Sequence, residues 1–170
     1  MFVRITAPRG HSLPELLAML GIVAILAGSA IPVFSNLLLE SRMNAAVATA
    51  MHAVNLARQF SATRSEPIRL CGSADERECT GGTDWTAGLL LADEAYRFRR
   101  SLALADGPGA PRIRSNRALL SFEGGSGFAT PATLTVCDRR GARAARAVIV
   151  SRSGRPRTSG RDASDGALKC

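Results

Sequence analysis

The longest apolar run of the chain covers residues 16–39, LLAMLGIVAILAGSAIPVFSNLLL, which are 24 residues without a formal charge. A helix of this length, at about 1.5 Å per residue, is long enough for a hydrocarbon core of about 30 Å. Arg4 and Arg9 precede the run and are expected to hold the N-terminus in the cytoplasm. The pattern predicts a transmembrane segment over about residues 13–38. A cleaved signal peptide that ends near AGSA, residues 27–30, is the alternative.

Beyond Glu40 the apolar residues recur every three or four positions, with polar residues between them. The apolar set is Met43, Val47, Ala50, Met51, Val54 and Ala57. This spacing predicts an amphipathic helix that continues the apolar segment to about residue 62. Glu66 and Pro67 are expected to end it, because the residue before a proline avoids the helical region. The predicted N-terminal helix therefore covers residues 11–65.

The remaining residues, 66–170, alternate short apolar segments with glycine-rich turns. This pattern predicts one antiparallel sheet or two packed sheets. Together with the N-terminal helix it indicates an α+β fold class. The predicted strands are IRLC at 68–71, AGLLLAD at 87–93, PRIRS at 111–115, ALLSF at 118–122, ATLTVC at 132–137 and RAVIVS at 146–151.

The net charge of +8 is concentrated near the C-terminus. Residues 1–100 carry ten arginines and nine acids, whereas residues 139–161 hold eight arginines and no acid. A local excess of this kind attracts phosphates or acidic surfaces, unless it is only a solvated face.

Four cysteines, Cys71, Cys79, Cys137 and Cys170, follow the apolar segment. Three disulfide pairings are possible. The short polar stretch between Cys71 and Cys79 suits a hairpin closure, which would leave Cys137 to pair with Cys170. Two disulfides imply an oxidising compartment. A four-cysteine zinc site is the rival, although such sites usually contain two close cysteine pairs.

Catalytic motifs are missing from the sequence. It contains no G-x-S-x-G, P-loop, H-E-x-x-H or paired-carboxylate pattern. Its two histidines, His11 and His52, both fall on the predicted helix. The chain is therefore expected not to be an enzyme and to need no cofactor or metal.

Glu15 is an ionisable residue at the start of the apolar run, where a charge is costly and points to a function. The surrounding stretch RGHSLPELLAMLGIVAILAGSAIPVF resembles the class III signal of type IV pilins and type II secretion pseudopilins. The resemblance implies that a prepilin peptidase cuts after Gly10 and removes the leader, residues 1–10. His11 would then become the new N-terminus and the candidate for N-methylation, although phenylalanine is usual there. Glu15 would meet the N-terminal amine of a neighbouring pilin.

Three further stretches, RLCGSADERECTGGTDWTAG, LLSFEGGSG and TVCDRRGARAARAVIVSRSGRPR, resemble the GspH/FimT group of minor pilins. The resemblance implies a long helix packed on an antiparallel β head. It also implies a single-pass inner-membrane protein with a periplasmic head, which enters a pilus with other major and minor pilins. Trp85 and Gly88 form a W-x-x-G pair, for which core packing and a tight turn are sufficient roles.

In the FimT branch, a C-terminal Gly-Arg-x-Arg motif is linked to DNA binding and natural transformation. Here it is Gly154, Arg155, Pro156 and Arg157. In an extended segment the two arginines leave one face about 6.6 Å apart, which suits successive phosphates. Further arginines of the basic stretch 139–161 that are expected to widen the patch include Arg140, Arg143, Arg146, Arg152 and Arg161. No aromatic residue follows Phe128, so double-stranded DNA, bound through its backbone, is the predicted ligand.

A structural role is the competing hypothesis. In it the chain is a minor pilin or pseudopilin that primes a type IV pilus or a type II secretion pseudopilus, and the arginines only solubilise the head or contact partner subunits.

Overall fold

The computed structural model describes residues 12–170, apart from the side chains of residues 29–33. The predicted processing site at Gly10 and His11 lies outside the described residues. The chain divides into two compact units, Met1–Leu38 and Leu39–Cys170. We call the second unit the head unit.

A single helix, α1, extends from Leu13 to Arg64, as predicted from the two hydrophobic patterns. In the first unit its large apolar side chains are exposed, among them Leu16, Leu20 and Ile25. Among the residues that the structure describes, none of the helical segments combines the length and hydropathy that a membrane crossing requires. The predicted span is therefore not confirmed.

Within the head unit α1 is amphipathic, as predicted. Met43, Ala50, Val54 and Ala57 are fully buried, because they recur on one side of a helix with 3.6 residues per turn. The helix stops at Arg64, and Ser65 has a positive φ of 55°. Pro67 then excludes a further helical turn.

Eight strands form two four-stranded antiparallel sheets. The strands are β1 (Ile68–Gly72), β2 (Leu89–Asp93), β3 (Arg99–Leu102), β4 (Arg112–Ser115), β5 (Leu119–Phe122), β6 (Ala132–Cys137), β7 (Arg146–Val150) and β8 (Pro156–Ser159). The first sheet has the order β3-β2-β1-β5 and the second β4-β6-β7-β8. The six predicted strands are confirmed. The strands β3 and β8 were not predicted from the sequence. Both are edge strands, and their mostly polar residues show no apolar alternation.

One hydrophobic core joins the helix to both sheets. It contains Met43 and Val54 from α1, Leu70 from β1 and Val148 from β7, together with Trp85. Trp85 Nε1 donates to the carbonyl oxygen of Gly82 (3.1 Å), and the amide of Gly88 donates to the carbonyl of Trp85 (3.3 Å). The W-x-x-G pair therefore has the packing and turn roles expected of it.

The cysteines form two disulfides, Cys71–Cys79 and Cys137–Cys170. This is the favoured pairing, and it leaves no thiol for the rival zinc site. The second disulfide fastens the C-terminal segment to the outer side of the second sheet. There Leu168 joins a small apolar cluster with Ala147 and Ile149 of β7.

Candidate nucleic-acid interface

The Gly-Arg-x-Arg motif begins in a tight turn between β7 and β8. We call residues Ser151–Arg155 the arginine turn. The amide of Gly154 donates to the carbonyl of Ser151 (2.9 Å), and the amide of Ser151 donates to the carbonyl of Arg155 (3.1 Å). The Ser151 hydroxyl also donates to that carbonyl (3.2 Å). These bonds fix the backbone that carries the arginines.

Gly154 is required by the geometry of the arginine turn. Its φ is +70°, in the region that L side chains rarely adopt. A Cβ atom at this position would overlap the carbonyl oxygen of Gly127 and would lie 3.2 Å from Cδ of Arg58. The motif glycine is thus buried between a neighbouring loop and the helix, and it sets the position of the turn.

Three arginines of this region are exposed, namely Arg152, Arg155 and Arg157. None of the three guanidinium groups has a hydrogen bond or an ion pair with another residue in the described part of the chain. Each can therefore meet an anion without first breaking a contact. The guanidinium fork suits phosphate oxygens in particular.

The register of β8 fixes the direction of Arg157. Pro156 lies opposite Val150, and Arg157 lies opposite Ile149. Val150 belongs to the main core, whereas Ile149 belongs to the outer cluster. Because directly opposed residues share a face, Arg157 projects from the outer side of the second sheet. Arg155 stands two residues earlier, just before the strand, so its predicted projection from the same side stays a prediction.

Arg58 of α1 adds a cation that the sequence analysis had not assigned to the site. Its side-chain methylenes lie against the arginine turn and against the loop that contains Gly127. Cγ of Arg58 would be 3.1 Å from a Cβ atom added at Gly127, and Cδ would be 3.2 Å from a Cβ atom added at Gly154. Its guanidinium has no hydrogen-bond or ion-pair partner in the described chain. In sequence Arg58 was only a polar residue on the helix flank, about 100 positions before the motif, so no local signal linked the two.

A second group of basic residues lies at the opposite end of β7, around the β6–β7 turn. Nη1 of Arg140 is 2.9 Å from Oε2 of Glu40, and its Nη2 is 2.7 Å from Oδ2 of Asp138. Nη2 of Arg146 is 3.4 Å from Oε1 of Glu40. These two arginines attach the β6–β7 turn to the helix. Arg143 is exposed in the same turn.

The side chain of Asp138 is fully buried. Burial opposes its ionisation, but hydrogen bonds from Arg140 and the charges of Arg140 and Arg139 outweigh this effect. Together they hold the pKa of Asp138 below its ordinary value of 3.8. The ionised carboxylate therefore fixes Arg140 in a structural contact. Arg146 lies five positions before Ser151, the first residue of the arginine turn, which corresponds to roughly 16 Å at about 3.3 Å per residue.

Arg161 lies beyond β8 and also has a partner, Asp165. Its Nη1 donates to the carbonyl of Asp165 (3.0 Å) and is 3.7 Å from the carboxylate of the same residue. Of the sequence-predicted contacts in the described chain, Arg152, Arg155 and Arg157 are exposed and unpaired at or beside the arginine turn. Arg140, Arg146 and Arg161 have other partners.

A long helix whose C-terminal half packs against two antiparallel sheets is the pilin fold. The same fold occurs in the type IV minor pilin FimU of Pseudomonas aeruginosa (strain PAO1), to which the chain is similar at 16% identity and a TM-score of 0.54. The match covers 70% of this chain and 89% of that one. A second crystal form of FimU matches at 17% identity over 70% of this chain and 90% of that one, with a TM-score of 0.48.

A sequence comparison identifies the family to which the chain belongs within this fold. The model of the family described as type II transport protein GspH matches residues 46–154, more than half of the chain. No curated protein matches. The chain therefore belongs to the GspH family and has the pilin fold, as the sequence resemblance implied.

Proposed function

We propose that the protein is a minor type IV pilin that binds extracellular DNA and supports its uptake in natural transformation. The observation that carries this proposal is the set of three exposed, unpaired guanidiniums at and beside the arginine turn. Arg58 adds a fourth beneath it. Two of these cations, Arg152 and Arg155, lie on the arginine turn itself, whereas Arg157 follows in β8 and Arg58 belongs to α1. A local excess of cations attracts a polyanion, and contacts of this kind read phosphates rather than base sequence.

The proposed assembly route follows from the N-terminal motif. A prepilin peptidase would cut after Gly10, and His11 would become the N-terminus of a chain anchored in the inner membrane. Glu15 lies in the first turn of α1, the position expected to meet the N-terminal amine of another pilin. The neutralisation of two charges that are expensive in an apolar bundle favours this pairing.

The test compares double-stranded DNA binding by the full chain, purified in detergent, with binding by Arg155→Gln/Arg157→Gln. We expect the variant to bind at least tenfold more weakly. The slope of log K against log salt should fall by about 1.8, because two phosphate contacts are lost at about 0.9 each. The matched control is Arg99→Gln/Arg100→Gln, which removes the same charge from two exposed arginines of β3 in the other sheet.

The second candidate is a purely structural minor pilin or pseudopilin that primes a pilus or a type II secretion pseudopilus. The match to the family described as type II transport protein GspH favours it. If the wild-type chain fails to bind double-stranded DNA at low salt, or if both double variants lose affinity equally, this second role is the better assignment.

A further inference from the structure

A cleft lies next to the arginine turn, with a volume of about 370 Å³. The residues that matter for its chemistry are Ser121, Glu123, Phe128, Thr130 and Arg152. One aromatic ring, one carboxylate, two hydroxyls and one guanidinium therefore surround a single space. Within the fold, the Glu123 carboxylate accepts a hydrogen bond from the Ser126 hydroxyl through Oε2 (3.3 Å).

Backbone hydrogen bonds join the segment that carries Phe128 to the arginine turn that carries Arg152. The amide of Ala129 donates to the carbonyl of Arg152 (2.9 Å), so the residue after Phe128 is bonded directly to the arginine turn. The amide of Glu123 donates to the carbonyl of Phe128 (2.7 Å). The loop of residues 123–128 is itself fixed on α1, since the amide of Gly125 donates to the carbonyl of Ser61 (2.9 Å).

The Phe128 ring is available for contact, because its side chain is 50% exposed. In the head unit the other large hydrophobic residue that is exposed is Leu119, at 37%. An aromatic face beside an unpaired arginine is the combination with which proteins bind single-stranded nucleic acid, where the ring stacks on a base and the cation meets the backbone.

Double-stranded DNA was the ligand predicted from the sequence, because no aromatic residue follows Phe128 in the chain. In the fold this ring lies at the motif itself, since the loop of residues 123–128 and the arginine turn are adjacent. A paired base cannot stack on a side chain without leaving its helix, so the ring suits an unpaired base.

The carboxylate adds selectivity. Glu123 would repel a phosphate, but a carboxylate accepts a hydrogen bond from the N4 amino group of cytosine. Thymine has a carbonyl oxygen at the same position and offers no donor there. Ser121 and Thr130 supply hydroxyls that can donate or accept.

We infer that this cleft binds one unpaired nucleobase of a DNA strand, stacked on Phe128 with its phosphate on Arg152, and that it prefers cytosine to thymine. The inference rests on the proposed DNA-binding function and names a second ligand class, single-stranded DNA, for the same surface. The arginines serve both ligands, whereas Phe128 and Glu123 serve the single strand alone.

The experiment measures fluorescence anisotropy of labelled oligo-dC, oligo-dT and a duplex of equal length with the full chain in detergent. Phe128→Leu should weaken oligo-dC binding about tenfold, within the range of one lost base–aromatic stack, and change duplex binding less than twofold. Phe128→Tyr should retain wild-type affinity, because it keeps the ring. Leu119→Ala is the control for an exposed apolar side chain elsewhere. Glu123→Ala should remove the preference for oligo-dC over oligo-dT.

Three results would overturn the inference: no binding of single strands by the wild type at low salt, equal single-strand binding by Phe128→Leu and wild type, or an equal loss for single strands and duplex. Equal single-strand binding by Phe128→Leu and wild type would mean that the ring contacts a protein partner instead. An equal loss for single strands and duplex would mean that the ring only supports the arginine turn. Failure of the proposed function differs from all three. In that case the duplex is not bound, and Phe128→Leu still weakens binding to oligo-dC.

Discussion

Replacement of Gly154 by alanine is expected to destabilise the head unit and displace the arginine turn. The φ of +70° places an alanine in the left-handed region, which costs roughly 1–2 kcal/mol. The added Cβ overlaps the carbonyl oxygen of Gly127, a backbone atom that cannot move without shifting its loop. Overpacking of this kind typically costs about 1–3 kcal/mol.

A smaller effect acts in the opposite direction. Alanine reduces the conformational entropy of the unfolded chain and so stabilises the folded state by about 0.4–1 kcal/mol. The free energy of unfolding should therefore fall by about 1–5 kcal/mol in total. Because Gly154 positions Arg152 and Arg155, DNA binding should weaken as well, even in the absence of denaturant.

Urea unfolding of a fragment that comprises the head unit, residues 39–170, measures this change. Trp85 is the single tryptophan of the chain and is fully buried, so its fluorescence reports unfolding directly. The matched control is Gly160→Ala, five residues after the arginine turn, where a Cβ would meet nothing within 4 Å and the φ is not positive. This control should stay within about 0.5 kcal/mol of the wild type.

The reasoning is refuted if the two alanine variants have the same free energy of unfolding. That result would mean that the loop of residues 123–128 moves aside at no cost, and that Gly154 is not needed to place the turn.

Further predictions concern the contacts that hold the second sheet in place. Loss of the Cys137–Cys170 disulfide in a double serine variant should lower the free energy of unfolding by about 3–4 kcal/mol, since 33 residues separate the two cysteines; a change below 1 kcal/mol in urea titrations would contradict this. Arg140→Met should cost about 3 kcal/mol in the same assay, because it leaves the buried Asp138 carboxylate without its cation; this is the lower end of the range for a buried pair, since the Arg140 side chain is itself 25% exposed. No loss at pH 7 would argue against the contact. The folded-state pKa of Asp138 is lowered, so its contribution to stability is present above the ordinary pKa of 3.8 and is lost as the pH falls through the folded pKa. Urea midpoints measured from pH 6 to pH 2 should therefore fall on the acid side more steeply in the wild type than in Arg140→Met, and parallel curves would exclude this role for Asp138.

The elements that depend on local pattern could be predicted from the amino-acid sequence. Apolar spacing specified the helix and its buried face, because side chains three and four apart share one side of any α-helix. Runs such as ATLTVC and RAVIVS specified central strands, since buried strands need apolar residues wherever they fall. The cysteine spacing favoured the pairing that the structure contains, and the GspH/FimT resemblance identified the family.

Which basic residues are free and which are paired depends on contacts between distant parts of the chain. Arg58 lies against Gly127 and Gly154 because the helix end, the loop of residues 123–128 and the arginine turn converge. No spacing along the chain encodes that convergence. Glu40 forms ion pairs with Arg140 and Arg146, which lie about 100 residues later in the chain. A count of arginines along the sequence therefore overstates the number of unpaired cations on this surface. The edge strands β3 and β8 also depend on their neighbours, because backbone hydrogen bonds to an adjacent strand define them and their mostly polar side chains need no apolar pattern.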